Sequence, residues 1–116
     1  MSAESQMFAA LRTLVSDRVY PDLAPDPVTK PYIVYQQVGG AAVQFVGADV
    51  PSKKNSRMQV SVWGETRTQV SALAVQVEDT LRGTASLQTI VLSAPVATYD
   101  PDTKLRGSQQ DFSIWI

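Results

Sequence analysis

The chain contains neither cysteine nor histidine. The absence of cysteine excludes disulfides and thiolate metal ligands, and the absence of histidine removes the commonest general base and the commonest zinc ligand. The sequence also lacks the G-x-S-x-G and S-x-x-K motifs of serine nucleophiles and the glycine-rich motifs that bind phosphates. We therefore expect no catalytic residues, no metal site and no cofactor.

Excess charge and long apolar runs are also missing. Ten basic and eleven acidic residues give a net charge of −1, which argues against general affinity for nucleic acid or anionic membranes. The N-terminus lacks the pattern of a signal peptide, and no apolar run approaches the roughly 20 residues of a membrane helix. We expect one domain over residues 1–116 that binds no specific nucleic acid and contacts no membrane.

A strand, a sharp turn and a helix occupy the centre of the sequence. Residues 57–63 alternate between apolar and polar side chains, which predicts a strand with one buried face. Thr66 followed by Gln69 is a capping box that begins a helix, and Arg82 with Gly83 predicts that the helix ends in a left-handed cap. The helical spacing of the apolar residues predicts a buried stripe of Val70, Leu73, Ala74, Val77 and Leu81.

The remaining segments predict one more helix and three more strands. We expect a helix over 2–17, capped by Ser2, and a proline-rich extended connection over 20–31. The strands fall at 32–38, at 89–99 with an interruption at Pro95, and at 111–116, the last two paired as an antiparallel hairpin through a turn at 100–103. The predicted fold is α+β, with two helices packed on one face of a mostly antiparallel sheet of about four strands.

Residues 41–56 permit two interpretations, a long hairpin excursion or an extended arm. A connection of this length often carries function. It includes the basic cluster Lys53, Lys54 and, just beyond it, Arg57. The cluster is either a solvated loop or a contact for an acidic neighbour or a DNA backbone.

The exposed face of the predicted sheet carries two tryptophans. Gln59, Ser61 and Trp63 alternate with the buried residues of the central strand, and Trp115 holds the equivalent position in the last strand. Trp63 and Trp115 either pack together on a half-exposed face or contribute to a contact between subunits.

Several stretches, taken in order, resemble one family. They are the amphipathic N-terminal helix, Lys30–Tyr35, Arg57–Trp63 leading into Thr66 and Arg67, Tyr99–Leu105 and Gln110–Trp115. This ordered set resembles the tail completion or tail terminator proteins of long-tailed phages, which also occur in prophages and gene transfer agents.

The resemblance implies a structural virion protein with a tail-terminator-like fold. Such a subunit forms a hexameric ring that caps the head-proximal end of the tail tube and ends its polymerisation. The implied partners are other copies of the chain, the tail tube protein and the head–tail connector or stopper protein. The implied location is the neck-proximal end of the virion tail, after assembly in the host cytoplasm.

Two other functions stay open at this point. One is a head-side adaptor or stopper protein of the neck, and the other is a small ligand-binding domain, which would need an apolar pocket with convergent polar groups.

Closing a ring requires a heterologous contact between two different patches. The candidate interface residues are Gln44, Phe45, Lys53, Lys54, Asn55, Arg57, Trp63, Asp100, Asp102, Lys104 and Trp115.

Overall fold

In the described part of the chain, each of two helices is followed by three strands, which is an α+β arrangement. The structure is a computed structural model that describes residues 2–42, 47 and 50–116. In chain order, the described elements are α1 (Ala3–Leu11), β1 (Val19–Pro21), β2 (Tyr32–Gln37), β3 (Asn55–Gly64), α2 (Arg67–Gly83), β4 (Ile90–Val91), β5 (Val96–Asp100) and β6 (Leu105–Trp115).

These strands form one mixed sheet. The order is β1-β2-β3-β6, with β4 and β5 both paired to the outer side of β6. The β1–β2 pair is parallel and the other pairs are antiparallel. Six strands lie in the described part of the chain, so the prediction of about four was too low. The prediction missed strand β1 because this strand has only three residues and ends in Pro21, at the start of a segment whose sequence predicts a proline-rich connection.

The predicted interruption at Pro95 is confirmed. Val91 pairs with Phe112, whereas the next pair joins Val96 to Gln109. More residues therefore lie between the two pairs on the outer strand than on β6, which makes a bulge. Proline has no N–H to donate to the ladder and is tolerated at such a bulge on an edge.

The predicted hairpin between β5 and β6 is also confirmed. Asp100 pairs with Leu105, and the intervening turn is held by the Asp100 carboxylate, which accepts from the backbone N–H of Asp102 at 3.0 Å. Lys104 has a φ of +61° and donates its N–H to the Asp100 carbonyl at 2.7 Å. Strand β6 begins at Leu105, earlier than the predicted strand at 111–116.

The N-terminal caps of both helices match their predictions. Ser2 accepts from the N–H of Ser5 at 3.1 Å, and Thr66 accepts from the N–H of Gln69 at 3.2 Å. In a strict capping box the Gln69 side chain would accept from the backbone N–H of Thr66. Here it accepts from the N–H of the preceding residue, Glu65, at 3.2 Å.

Both C-terminal ends differ from expectation. Helix α1 ends at Leu11 and tightens into a 3₁₀ turn, Arg12–Leu14, so it is shorter than the predicted 2–17. In α2, Gly83 belongs to the helix and Thr84 follows in an extended conformation, so the left-handed cap was a wrong prediction. The Thr84 hydroxyl donates to the Thr80 carbonyl at 2.7 Å, which satisfies a terminal carbonyl without a left-handed residue.

One hydrophobic core joins both helices to the sheet. Its helical members include Met7 and Leu11 of α1 and the complete predicted stripe of α2. Its strand members recur at every second residue, so they share one face, which we call the core face. The opposite face, called the open face, is partly exposed and presents Tyr32, Val34, Gln36, Gln59, Ser61, Trp63, Gln109, Asp111, Ser113 and Trp115.

Candidate functional site

A groove of about 520 Å³ lies over one end of the open face. Its floor is made by β2, β3 and β6. The proline-rich segment 22–30 and the turn between β5 and β6 complete its lining. Its lining includes Asp22, Leu23, Asp26, Lys30, Tyr32, Trp63, Asp100 and Gln109.

The sheet register fixes the aromatic part of the groove floor. Trp63 is paired with Tyr32 on one side and with Gly107 on the other. A Cβ placed on Gly107 would lie 2.8 Å from the Trp63 ring and would also clash with the Thr98 hydroxyl. The absence of a side chain at Gly107 therefore leaves the space that the indole occupies.

Arg67 ties the start of α2 to the hairpin beneath the groove. Its guanidinium donates to the Gly107 carbonyl at 2.7 Å and to the Thr98 carbonyl at 2.9 Å. The sequence interpretation did not single out this role. The sequence did contain a signal for this role. A cation in the first turn of a helix is disfavoured by the helix macrodipole, so Arg67 at that position indicates acceptors elsewhere in the fold that hold its guanidinium.

The groove is mainly acidic. Asp22, Asp26 and Asp100 line it against one cation, Lys30. Among the described residues, none of the three carboxylates lies in an ion pair. Burial and, to a smaller extent, the negative charge of Asp100 raise the pKa of Tyr32 on the groove floor.

The other end of the open face carries a basic segment. We call residues 38–42 and 50–54 the tip, since they extend β2 and β3 beyond the sheet. The ladder continues into it through Val38, whose N–H donates to the Arg57 carbonyl at 2.8 Å, and through Lys54, which exchanges backbone hydrogen bonds with Ile116 at 2.8 and 3.1 Å. The candidates Gln44 and Phe45 lie outside the described residues.

Asn55 holds the base of the tip together. Its side-chain oxygen accepts from the N–H of Ala41 at 2.7 Å, and its amide nitrogen donates to the Ser113 hydroxyl at 2.7 Å. The same nitrogen donates to the Ile114 carbonyl at 3.1 Å. These intrachain bonds account for Asn55 as a structural residue.

The basic cluster divides into two parts. Arg57 forms an ion pair with Asp111 at 2.7 Å across β3 and β6. Lys53 and Lys54 are exposed, and within the described ranges neither makes an ion pair. The two lysines are therefore the part of the cluster that is available to another molecule.

The two tryptophans lie on the same face but do not pack together. Trp115 is paired with Asn55, whereas Trp63 is paired with Gly107 at the other end of β3. The rise of a strand separates these positions by about 26 Å. The interpretation of a Trp63–Trp115 pair was wrong, because alternation assigns a residue to a face but not to a position along it.

The register sorts the candidate residues by location. Trp63, Asp100, Asp102 and Lys104 belong to the groove end, and Lys53, Lys54, Asn55, Arg57 and Trp115 to the tip end.

Over 2–42, 47 and 50–116 the structure shows no helix long and apolar enough to cross a membrane. The same residues include no group of three or more carboxylates placed to hold a metal ion.

The family is settled by a match over most of the chain. A family model described as "Tail completion protein gp17" matches residues 7–116. The chain belongs to this tail completion family. It is therefore a structural protein of the virion tail, as the resemblance implied.

A solved structure supports the fold of this tail completion protein. A chain from the "Virion of native gene transfer agent (GTA) particle" superposes with a TM-score of 0.61 at 20% identity, over 96% of this chain and 89% of that one. A second solved structure reaches a TM-score of 0.48 at 13% identity, over 99% of this chain and 94% of the other. A search of curated proteins found no match.

Proposed function

We propose that this tail completion protein forms a ring that caps the head-proximal end of the tail tube, ends its polymerisation and joins the tail to the head connector. The observation that carries the proposal is the family match over residues 7–116. The ring is a homo-oligomer, hexameric in the form implied by the family resemblance. Its other partners are the tail tube protein and the connector or stopper protein.

The distribution of contacts supports an assembly subunit. We infer that both helices pack on the core face, because their buried side chains join the same cluster as the alternating strand residues. This arrangement leaves the open face, with the groove and the tip, available to neighbours. The molecule measures 52 × 25 × 24 Å, so the two ends of that face lie far apart.

The groove favours a docking surface over a pocket for a small ligand. Its volume falls within the range of ligand sites, which bury most of their ligand and are mainly apolar. Here one wall is an exposed loop in which the Leu23 side chain is 83% exposed, and the lining includes four charged residues. Such a surface suits a protein segment better than an enclosed molecule.

Electron microscopy of particles made without this gene tests the function. A terminator predicts unjoined tails of uncontrolled length beside filled heads, because nothing stops tube growth. Restoration by the wild-type gene on a plasmid is the control. Tails of normal length with empty or leaking heads would instead assign the protein to the head side of the neck, and intact infectious particles would refute both roles.

A further inference from the structure

The two ends of the open face carry opposite charges. The groove has three carboxylates, Asp22, Asp26 and Asp100, against one lysine, while the tip presents Lys53 and Lys54. Among the described residues, none of these charged side chains forms an ion pair within the subunit. Complementary charge steers association and suppresses wrong partners, so these two surfaces fit each other chemically.

The apolar side chains are complementary as well. Val50 of the tip is 79% exposed, and Leu23 of the groove wall is 83% exposed. The groove floor adds the half-buried rings of Tyr32 and Trp63. A contact between tip and groove would therefore bury apolar area together with the charged pairs, as in the centre of a specific interface.

A single subunit cannot make this contact with itself. Strand β3 and its continuation at Lys54 separate the tip from Trp63, and nine residues of strand span about 30 Å. The two surfaces therefore meet only between copies. Because the contact joins two different patches, it is heterologous, and repetition of one such contact closes a ring when the rotation permits.

We propose that the tip of one subunit, through Lys53 and Lys54, docks in the groove of the next copy against Asp22 and Asp26. The inference rests on the ring proposed above and names its subunit contact. The partner is a second copy of this chain, and the tube and connector proteins bind elsewhere on the ring. Exposed charge pairs are screened by salt, so ring formation should weaken as ionic strength rises.

A charge exchange tests the contact in assembled particles. The tip variant carries Lys53→Glu and Lys54→Glu. The groove variant carries Asp22→Asn and Asp26→Lys, since Asp22 has a φ of +64° that asparagine tolerates. Each variant alone should lower the yield of joined particles in a gene-deleted strain at least tenfold. The chain with all four substitutions should recover most of that yield, because opposite charges face each other again.

Glu65→Gln with Asp79→Lys is the matched control, because it removes one negative charge and reverses another at exposed positions outside the groove and the tip, and it should leave the yield unchanged. Circular dichroism of each purified variant checks that the chain folds. Normal yields from both single-surface variants would overturn the proposal. A four-substitution chain that stays as defective as its parents would overturn it too.

Cysteine cross-linking supplies a second measurement that does not depend on charge. The natural chain contains no cysteine, so Asp26→Cys together with Lys54→Cys introduces one pair of thiols. Oxidation of purified particles should give a ladder of covalent oligomers up to the ring size, whereas either single substitution should give none. Monomers alone in particles that contain the protein would overturn the tip–groove contact while leaving the proposed function standing. Absence of the protein from the particles would instead overturn the proposed function.

Discussion

The core face and the open face of the same sheet follow opposite rules. On the core face, Met58, Val60, Val62, Phe112 and Ile114 are almost fully buried, and each contacts the side chains of the helices or neighbouring strands. On the open face, polar and aromatic residues are half-buried and are arranged in two chemically different ends. The core face therefore holds the subunit together, and the open face is the one that we propose for assembly.

The largest difference between the faces should appear on truncation of Phe112. Phe112→Ala leaves a cavity in a fully buried site and should cost about 3–5 kcal/mol of unfolding free energy. Gln109→Ala, three residues earlier on the open face, should change it by less than about 0.5 kcal/mol. Urea unfolding followed by circular dichroism measures both. Equal losses would contradict the division between the faces.

Removal of Arg67 should have the next largest effect. Arg67→Ala breaks two charge-assisted hydrogen bonds to the carbonyls of Gly107 and Thr98, with an expected loss of roughly 1.5–3 kcal/mol. Arg82→Ala removes an exposed pair with Glu78 on the same helix and should cost about 0.3–0.5 kcal/mol. Thermal unfolding of the two variants decides the point, and similar midpoints would refute the anchoring role of Arg67.

A methyl group at Gly107 should disturb the groove floor more than it disturbs the fold. Gly107→Ala places a Cβ against Trp63 and Thr98 and should destabilise by roughly 1–3 kcal/mol. Gly83→Ala adds the same methyl group where no atom lies within 4 Å, and should stabilise α2 by about 0.5–1 kcal/mol. Indole fluorescence in a Trp115→Phe background should shift only for the Gly107 variant, and an unchanged spectrum would contradict the packing of Trp63 over Gly107.

The smallest effect concerns the protonation of Tyr32. Burial and Asp100 raise its pKa above the usual value, so its contribution to stability is complete below the unfolded pKa and is lost as pH rises through the folded pKa. Asp100→Asn keeps the turn acceptor but removes the charge, and should lower the Tyr32 pKa. Phenolate absorbance titration, with Tyr32→Phe to identify the signal, measures this shift.

Tyr35 is the internal control for that titration. Its pKa is raised by burial and then by Glu4 and Asp22, without a contribution from Asp100. The Asp100→Asn substitution should therefore leave the Tyr35 titration unchanged. If the pKa values of both tyrosines shift together, the substitution has loosened the fold generally, and the change at Tyr32 is not a local effect of the Asp100 charge.

The core face was predictable because burial repeats with the geometry of each element. The stripe of α2 and the alternation of β3 follow from spacing alone, and both are confirmed. Short elements carry too few residues for a period, which explains why β1 was missed and why β4 and β5 were read as one interrupted strand.

The arrangement of the open face could not be predicted from sequence, because it depends on the register between strands that are far apart along the chain, and no local pattern contains that register. The ion pair between Arg57 and Asp111, the distance between the tryptophans and the groove under segment 22–30 all arise from strand pairing. The family resemblance supplied the virion role directly. It did not supply the sorting of Lys53, Lys54 and Arg57 into free and paired cations.

The bulge at Pro95 affects how readily the unassembled subunit can aggregate through its exposed strand edge. Ile90, Leu92, Val96 and Tyr99 are large hydrophobic residues on or beside the outer strands, and all are more than 40% exposed. An unbroken edge of this composition would template the addition of further chains into insoluble fibres. By interrupting the ladder, the bulge limits the longest continuous template to the five residues of Val96–Asp100. We therefore expect the exposed hydrophobic edge to be a poor template for aggregation.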